Sequence, residues 1–442
     1  MSKPNILFLH SHNTGTFIQP YGHAVPTPNT QKLAEEGVLF RKAFSTAPTC
    51  SPSRASFLTG MYAHSAGTLG LAHRGFSVRD PALHMVSVLK DQGYLTALSG
   101  VEHTFPSVET AGYERIASSL DTNYEETEGQ PDEAEGAVRF LSEPHDQPFF
   151  LSVGLNETHR PFPKADPGAD TSEDPRYTIP PSPLPDTPET RQDAADFRAA
   201  ARVMDEKFGR VLDALEDNGL ADNTLVFCFA DHGLQFPRNM CNLTDHGSHV
   251  YLIVRGPGGF TGGKVIDELV SLVDLAPTAY DVAGVECPDH VEGKSLLPAL
   301  AGNTVRDEVF CEVNYHAAYE PMRSVRTDRY KYVRRYDGRE KHVLPNIDDT
   351  LSKEFILEKG WEQWPREQEM LFDLVFDPTE SNNILDREDM TDVLADMKSR
   401  LDTWMRSTND PLVEADEVPA PKGSQVNDVD GRSPREEPNT VE

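Results

Sequence analysis

Histidines, together with an asparagine and an aspartate, follow four separate apolar segments of the sequence, and together they could build a reactive site. These polar residues are His12, Asn13, His103, His159, Asp231 and His232. Imidazole and carboxylate groups transfer protons and bind divalent metal ions. If the fold brings these residues together, we expect proton transfer or metal-assisted chemistry.

A cysteine and an arginine lie one helical turn apart in the segment CSPSR at residues 50–54. Because Pro52 suits the first turn of a helix, Cys50 is predicted to lie at a helix N-terminus. The free N–H groups at such an end attract anions. The planar guanidinium of Arg54 can hold oxygens of the same anion, so the segment predicts an anion site around Cys50.

The apolar segments that precede the polar residues are predicted to be strands. They span residues 4–10, Leu95–Ser99, Phe149–Leu155 and Thr224–Ala230. A helix is predicted from Phe197 to Leu215, where apolar residues recur every three or four positions. Alternating strands and helices indicate an α/β fold with a mostly parallel central sheet flanked by helices. Ligands of such sheets bind beyond the carboxyl ends of the strands, where the polar residues should converge.

The pattern divides the chain into three parts. Residues 1–304 are predicted to be the catalytic domain, with a long surface loop from Pro161 to Pro188. Residues 305–410 are predicted to form a smaller α+β subdomain, with antiparallel strands in VFCEVNY, SVRTD and YKYVRRY and a helix near its end. Residues 411–442 are acidic and poor in large apolar side chains, so a disordered tail is expected.

The composition restricts the class of partner and the compartment. The 442 residues include 41 basic and 72 acidic residues, for a formal charge of −31, so neither nucleic acid nor an anionic membrane is an expected partner. Without a long apolar run or a secretory signal, a cytoplasmic location is expected. Five scattered cysteines predict neither a disulfide framework nor a structural zinc site. The acidic surface favours a halophilic host as a hypothesis.

The string CSPSR followed by ASFLTG resembles the C-x-P-S-R…LTG signature of the sulfatase family. Other segments resemble sulfatase blocks in the same order, namely PNILF, TPNTQKLAEEGVLFRKAFS, FADHG, SLVDLAPT, SVRTDRYKYV and LFDLVFDPTESNNI. NETHRPF and DHGLQFPR are most similar to the N-sulfoglucosamine sulfohydrolase-like group. The resemblance implies an alkaline-phosphatase-like fold and a hydrolase of sulfuric esters or sulfamates.

The resemblance also implies two cofactors. Cys50 matches the cysteine that a maturation enzyme oxidises to formylglycine (3-oxoalanine), whose hydrated aldehyde attacks sulfur. In this family a divalent ion, commonly calcium, is bound by the formylglycine, by two acids after the first strand and by a pair after a later strand. The matching positions in this sequence are His12, Asn13, Cys50, Asp231 and His232.

The first metal-binding pair departs from the family, because His12 and Asn13 stand where two acids are expected. Calcium prefers oxygen ligands, whereas imidazole suits zinc, manganese and related ions. We therefore expect a softer divalent ion, such as manganese or zinc, to compete with calcium. The alternative is that His12 and Asn13 only cap a loop.

The histidines match catalytic positions of the family. His159 matches the histidine that protonates the leaving oxygen or nitrogen, a task that suits a group with a pKa near neutrality. His103 matches the histidine that contacts the formylglycine.

Two lysines of the family are absent, with Val101 and Met240 in their places. The loss of a cation that stabilises charge on the sulfuryl oxygens can cost several kcal/mol in the transition state. Arg238 and His246 are candidates to bind the substrate instead, although a surface role is an equally good expectation for both.

Three functions remain open from the sequence. The first is a sulfatase acting on a small sulfated sugar or similar ester, because a strongly acidic protein repels a polyanion unless salt shortens the screening length to about 3 Å near 1 M. The second is a phosphonate or phosphate ester hydrolase with the same nucleophile. The third is a sulfatase-like binding protein. The leaving group and the oligomeric state are not identified by the sequence.

Overall fold

The protein is represented by a computed structural model that describes residues 3–119, 132–165 and 173–442. Nine strands in these ranges form the main sheet: β1 (Asn5–Ser11), β2 (Val38–Phe44), β3 (Leu95–Gly100), β4 (Arg115–Ser119), β5 (Phe149–Gly154), β6 (Thr224–Ala230), β7 (His249–Val250), β8 (Leu252–Arg255) and β9 (Lys264–Ser271). Their order is β4-β3-β5-β1-β6-β8-β2-β7, with β9 paired to β2. The first five strands of this order pair in parallel. The predicted mostly parallel sheet is therefore confirmed.

Helices cover both faces of the sheet. In the described ranges they are α1 (Pro28–Glu36), α2 (Cys50–Thr59), α3 (Ala63–Ala66), α4 (Met85–Asp91), α5 (Glu133–Leu141), α6 (Pro188–Asp217), α7 (Asp245–Ser248), α8 (Leu275–Ala283), α9 (Leu297–Leu300), α10 (Leu351–Glu358) and α11 (Thr391–Ser407). Helices α1 and α5 contact α6, whereas α3, α4 and α8 contact α2. Every residue of β1, β5 and β6 is buried, as expected for strands covered on both sides. Of the helices described, none has the length and apolar content needed to cross a bilayer.

The predicted helix from Phe197 to Leu215 is confirmed as part of α6. This helix begins after a capping box in which the Thr187 and Thr190 side chains bond to each other's backbone N–H groups. The predicted surface loop contains no helix or strand in its described parts, residues 161–165 and 173–187, and residues 166–172 of that prediction lie outside the described residues.

A second, antiparallel sheet follows the main one. Its strands are β10 (Glu308–Tyr315), β11 (Tyr319–Thr327), β12 (Tyr330–Arg335) and β13 (Glu369–Asp373), paired in this order. Helix α11 packs on β11 and β12, and Trp404 stacks on Phe310 with ring centroids 4.8 Å apart. The antiparallel strands and the helix after them are confirmed, and β13 was not predicted. The division of the chain at residue 304 stays a prediction.

The C-terminal segment from residue 411 is ordered, so the expectation of a disordered tail is wrong. It contains a short antiparallel pair, β14 (Gln425–Val426) and β15 (Asn439–Thr440). Val418 is buried, and its carbonyl accepts a hydrogen bond from the Tyr315 hydroxyl at 2.6 Å. Buried Asn427 donates its N–H to the Ala317 carbonyl at 2.8 Å. Composition misled the prediction because hydrogen bonds to the folded chain, rather than a large apolar surface, fix this segment.

Candidate active site

Four predicted metal-binding residues meet at the carboxyl end of the main sheet. Strands β1 and β6 run side by side with Ser11 opposite Ala230, so the residues that follow them are neighbours. One donor atom from each residue lies within 4.8 Å of the others, and all four side chains are buried; the residues are His12, Cys50, Asp231 and His232. The convergence predicted for these polar residues is therefore observed.

Helix α2 positions Cys50, which is its first residue. The Phe57 ring packs on Phe8 of β1 and Phe229 of β6, with centroids 6.2 and 4.8 Å away. Near the helix N-terminus, the Ser53 hydroxyl donates a hydrogen bond to the Asp231 carbonyl at 2.5 Å. The predicted position of Cys50 at a helix N-terminus is confirmed, and these contacts fix that end against the metal-binding residues.

The Cys50 thiol lies between two imidazoles. Its sulfur is 2.8 Å from Nε2 of His12 and 3.4 Å from Nε2 of His232, and Oδ1 of Asn13 is 3.9 Å away. Because Nδ1 of His232 contacts the Gly233 carbonyl at 3.0 Å and must donate to it, the Nε2 lone pair is left facing the sulfur. Two ring nitrogens and an amide oxygen therefore surround Cys50.

Burial controls the protonation of these groups. It lowers the pKa of His12 and of His232 below the usual value for imidazole, and the nearby Arg54 guanidinium lowers both further. Burial raises the pKa of the Cys50 thiol, and the Asp231 carboxylate adds to that effect. Both imidazoles are thus neutral near pH 7, which is the form that binds metal ions.

Asp231 supplies the carboxylate of this group, and Arg54 neutralises its charge. The Asp231 carboxylate accepts the backbone N–H groups of Asn13 and His232 at 2.8 Å and forms an ion pair with Arg54 at 3.0 Å. Arg54 is fully buried and also contacts the Val101 carbonyl at 3.3 Å. The Arg54 guanidinium faces Asp231 and positions its carboxylate, and the expectation that Arg54 also holds the bound anion stays a prediction.

The donor set does not fit calcium. Calcium takes six to eight oxygen ligands, usually including several carboxylates. This site offers two imidazole nitrogens, one amide oxygen, the side chain of residue 50 and one carboxylate that is already paired with an arginine. Nitrogen-rich sets of this kind suit zinc, manganese or related divalent ions. His12 and Asn13 lie beside Cys50 rather than only capping a loop.

His103 lies beside a histidine that the sequence analysis did not identify. It follows β3 with a φ of 63°, a conformation uncommon for residues other than glycine and often found at functional sites. Its Nε2 lies 3.0 Å from Nδ1 of His73, and the two rings are nearly parallel. Burial lowers the pKa of both rings, that of His73 to about 4. His73 lies in a short 3-10 helix, Ala72–Arg74, that no sequence motif marks, so only the fold shows its place.

His159 is held by three polar groups. Its Nδ1 contacts the Arg160 carbonyl at 2.6 Å and must donate to it, which makes Nε2 the acceptor of the neutral ring. The Gln235 amide lies 3.3 Å from that Nε2 and donates to the Asp348 carboxylate at 2.5 Å. Burial lowers the pKa of His159, whereas the charge of Asp348 opposes this shift. Nε2 therefore carries a proton only in the imidazolium form, and the ring lies in the wall of the cavity above Cys50.

A cavity of about 1080 Å³ opens above Cys50. It is lined by His73, His103, His159 and His316 and, farther out, by charged side chains such as Arg74, Arg160, Lys164 and Asp348. This volume is at the upper end of the range for small-ligand sites and suits a sugar or a short oligosaccharide.

The structure does not bring Arg238 and His246 to this cavity, which corrects their assignment as substrate-binding candidates. The Arg238 side chain is exposed, and its Nη1 lies 3.5 Å from the Pro183 carbonyl. His246 lies in α7 and bonds to the Thr379 carbonyl at 3.0 Å, because the neighbouring Asp245 forms an ion pair with Lys331 of β12.

The sequence of this chain is similar to family models and to known proteins. A family model described as Sulfatase matches residues 4–285, and one described as N-sulphoglucosamine sulphohydrolase, C-terminal, matches residues 231–350. The chain is 28% identical over 465 residues to N-sulphoglucosamine sulphohydrolase of Homo sapiens, covering 92% of this chain and 91% of that protein. It is also 28% identical over 464 residues to an ulvan-active sulfatase of Formosa agariphila, covering 92% and 76%.

A solved structure described as a complex with its substrate D-glucosamine-2-N,6-O-disulfate has a TM-score of 0.73. It is 19% identical and covers 95% of this chain and 100% of that chain, a likeness that shows the fold. The Sulfatase model alone spans well over half of the 442 residues, as the motif at Cys50 predicts. The chain belongs to the sulfatase family.

Proposed function

We propose that this protein hydrolyses a sulfate ester or sulfamate of a small sulfated sugar. The observation that carries the proposal is Cys50, which begins a buried helix at the base of a cavity that His103 and His159 also line. The human and Formosa relatives are described as acting on N-sulphoglucosamine and on ulvan, which are sulfated carbohydrates. A cavity of sugar size is consistent with such a substrate.

Each residue has a separate task in this proposal. Once oxidised to formylglycine by a maturation enzyme, residue 50 would supply the aldehyde hydrate that attacks sulfur. His159 would donate a proton from Nε2 to the leaving oxygen or nitrogen; because its Nδ1–H is committed to the Arg160 carbonyl, the donor is the imidazolium form, which burial disfavours and the charge of Asp348 favours. His103, oriented by His73, contacts the reacting group. Arg54 positions Asp231 through their ion pair.

The experiment that tests the function has two measurements. Mass spectrometry of the Cys50 peptide, from protein made in its own host, should show sulfur replaced by oxygen with loss of two hydrogens. Release of sulfate from a phenyl sulfate should exceed release of phosphate from the matching phenyl phosphate. A matured protein that hydrolyses only the phosphate ester would favour the phosphoryl hydrolase alternative. A matured protein that hydrolyses neither ester, nor a sulfamate, would favour a binding protein.

We also propose that the metal ion is zinc, manganese or a similar divalent ion rather than calcium. The support is the neutral imidazole pair of His12 and His232 together with the single carboxylate of Asp231. Elemental analysis of the purified protein should find such an ion at about one per chain. Calcium as the sole metal would contradict this proposal and leave the proposed reaction untouched.

A further inference from the structure

One side of the cavity above Cys50 is formed by the C-terminal segment, residues 421–442, which we call the C-terminal wall. The wall residues that line the cavity are Gln425, Pro434, Arg435, Glu436 and Pro438. They lie far from Cys50 in sequence and share one cavity with it. This segment is therefore part of the surface that a substrate would meet.

Arg74 anchors the wall to the catalytic histidines. Its guanidinium donates to Oδ1 of Asn427 at 2.6 Å and to the Pro434 carbonyl at 3.1 Å. The preceding residue, His73, contacts His103 at 3.0 Å. Two adjacent residues thus link the wall to the proposed site, because Arg74 holds the wall and His73 orients His103.

Other contacts fix the wall against the helix α10 region. The Lys353 amine donates to the Arg432 carbonyl at 2.7 Å, and the Ser433 hydroxyl donates to the Asp349 carboxylate at 2.5 Å. Arg432 also forms an ion pair with Glu362 at 2.7 Å. With Asn427 and Pro434 held by Arg74, the segment is fastened along its length and has a definite shape.

Arg435 differs from the other arginines of this region. Arg74 and Arg432 use their guanidinium groups to hold the fold. The Arg435 side chain is exposed and lines the cavity; within the described residues it forms no ion pair closer than 4.0 Å, and its charge acts at longer range on Asp349 of the same cavity. A guanidinium placed in this way can bind a carboxylate or sulfate group of a ligand with two parallel hydrogen bonds.

We propose that the C-terminal wall limits the length of the substrate and that Arg435 binds a second anionic group, a carboxylate or another sulfate, of the sugar bound above Cys50. The inference rests on the proposed function, because it assumes a sulfated sugar in this cavity. It adds the prediction that this sugar carries two anionic groups, and that a chain continuing past the wall is excluded.

The first test compares Arg435→Ala with Glu437→Ala, a change of a neighbouring exposed residue that does not line the cavity. Dissociation constants for glucosamine N-sulfate and glucosamine 2-N,6-O-disulfate are measured by calorimetry on full-length protein that also carries Cys50→Ala to prevent turnover. Arg435→Ala should weaken binding of the disulfate about tenfold and leave the monosulfate nearly unchanged, since one charge-assisted contact is lost. Glu437→Ala should leave both unchanged.

The second test removes the wall from the same protein. A chain that ends at Ala420 keeps buried Val418 and its hydrogen bonds to Tyr315 and Tyr319, which supports folding of the remainder. The affinity for a sulfated hexasaccharide relative to the disulfated sugar should rise about tenfold or more. If this chain does not fold, which circular dichroism would show, the Arg435→Ala comparison still decides the role of Arg435.

The outcomes separate this inference from the proposed function. Equal effects of Arg435→Ala on both sugars, or no effect on either, would overturn the role of Arg435 while the sulfated sugars still bind. A folded, shortened chain with an unchanged preference for the short sugar would overturn the role of the wall. If the parent protein binds neither sulfated sugar, the proposed function and this inference fail together.

Discussion

The side chains around Cys50 carry little net charge. Two neutral imidazoles, an amide and a carboxylate paired with Arg54 surround the sulfur. A divalent cation bound here would gain less from simple charge attraction than in a site with three carboxylates, and more from nitrogen coordination. We therefore propose that two adjacent residues, His12 and Asn13, shift the metal preference of this site away from calcium.

Replacing this pair with the acids of the family should change the metal preference. In the double variant His12→Asp, Asn13→Asp, two carboxylates replace a nitrogen ligand and an amide, so calcium content should rise at the expense of zinc or manganese. Elemental analysis after dialysis against an equal mixture of the metals gives the result. His23→Asp, a similar change outside the site, is the control. Unchanged metal content in the double variant would show that these positions do not select the ion.

His159→Ala should slow hydrolysis of alkyl sulfates much more than hydrolysis of nitrophenyl sulfate. Nitrophenolate is a good leaving group that departs without a proton, so its release should change little. An alkyl alcohol is a poor leaving group, so its release should lose the contribution of general acid catalysis, about a hundredfold or more. The measurement is kcat/KM for both substrates in the parent and the variant. His145→Ala, which removes a histidine that packs on Phe140 and does not line the cavity, provides the comparison. Equal losses on both substrates would argue against proton transfer by His159.

The residues of the site were predictable to different degrees. Cys50, His103 and His159 could be found because a sequence motif or the end of a strand marks each of them. His73 could not, since its role comes from a contact with His103 that joins two loops. Arg238 and His246 were misassigned because closeness in sequence to Asp231 does not determine the direction in which the following loop turns.

At the level of elements, a buried polar network joins α3 to the antiparallel sheet. His64 at the start of α3 contacts Glu312 of β10 at 2.9 Å. The Arg323 side chain lies within 3.8 Å of Glu312 and forms an ion pair with Asp410. Burial lowers the pKa of His64, but the Glu312 carboxylate outweighs this effect and holds the pKa above its usual value. Burial likewise raises the pKa of Glu312, but the charge of His64 outweighs this effect and lowers the pKa to about 2.

This network predicts a loss of stability as the pH rises. Unfolded His64 loses its proton near pH 6.5, whereas the folded protein keeps it to higher pH. The stability that protonated His64 contributes is therefore fully present below about pH 6.5, and it disappears as the pH rises past the higher pKa of the folded state. Urea denaturation gives the difference in unfolding free energy between the parent and His64→Gln. This difference should shrink as the pH rises from 6 to 9.

The variant Glu312→Gln serves as the control for this measurement. It keeps the histidine but removes the charge that raises its pKa, so its stability should lose the same pH dependence. A difference between the parent and His64→Gln that stays constant across the range would mean that His64 is not protonated in the folded protein.

Sequence patterns predicted the elements where periodicity is strong and failed where contacts are remote. Strands β1, β3, β5 and β6 are apolar on both faces, and α6 has one apolar stripe, so all five were predictable. Strand β13 has only five residues and depends on pairing with β12. The wall segment forms two-residue strands, which no local pattern marks.

For the whole molecule, the charge of −31 is the dominant feature. Many acids are paired, as in the ion pairs of Arg41 with Asp267 and of Arg255 with Glu36, but 72 acidic residues exceed 41 basic ones. The excess negative charges must repel one another in dilute buffer. We retain a salt-rich cytoplasm as a proposal, because salt would screen this repulsion.

The thermal unfolding midpoint should rise with potassium chloride from about 0.1 M to 1 M, where the screening length falls from about 10 Å to about 3 Å. Differential scanning fluorimetry measures the midpoint, with sucrose at equal osmolality as an uncharged control. If sucrose raises the midpoint as much as the salt does, the effect is not electrostatic. A midpoint that does not change with salt would contradict the halophilic hypothesis.

Cys50 is 3% exposed in the folded protein, and the wall residues that share its cavity follow it by more than 370 positions in the sequence. If Cys50 is oxidised to formylglycine as proposed, the maturation enzyme has to reach a thiol that the folded protein buries, so we expect oxidation to precede the folding of this region. The order of events during synthesis then decides activity: a chain that folds before it is oxidised would hide its own thiol. A preparation could thus be fully folded and inactive for reasons of timing alone.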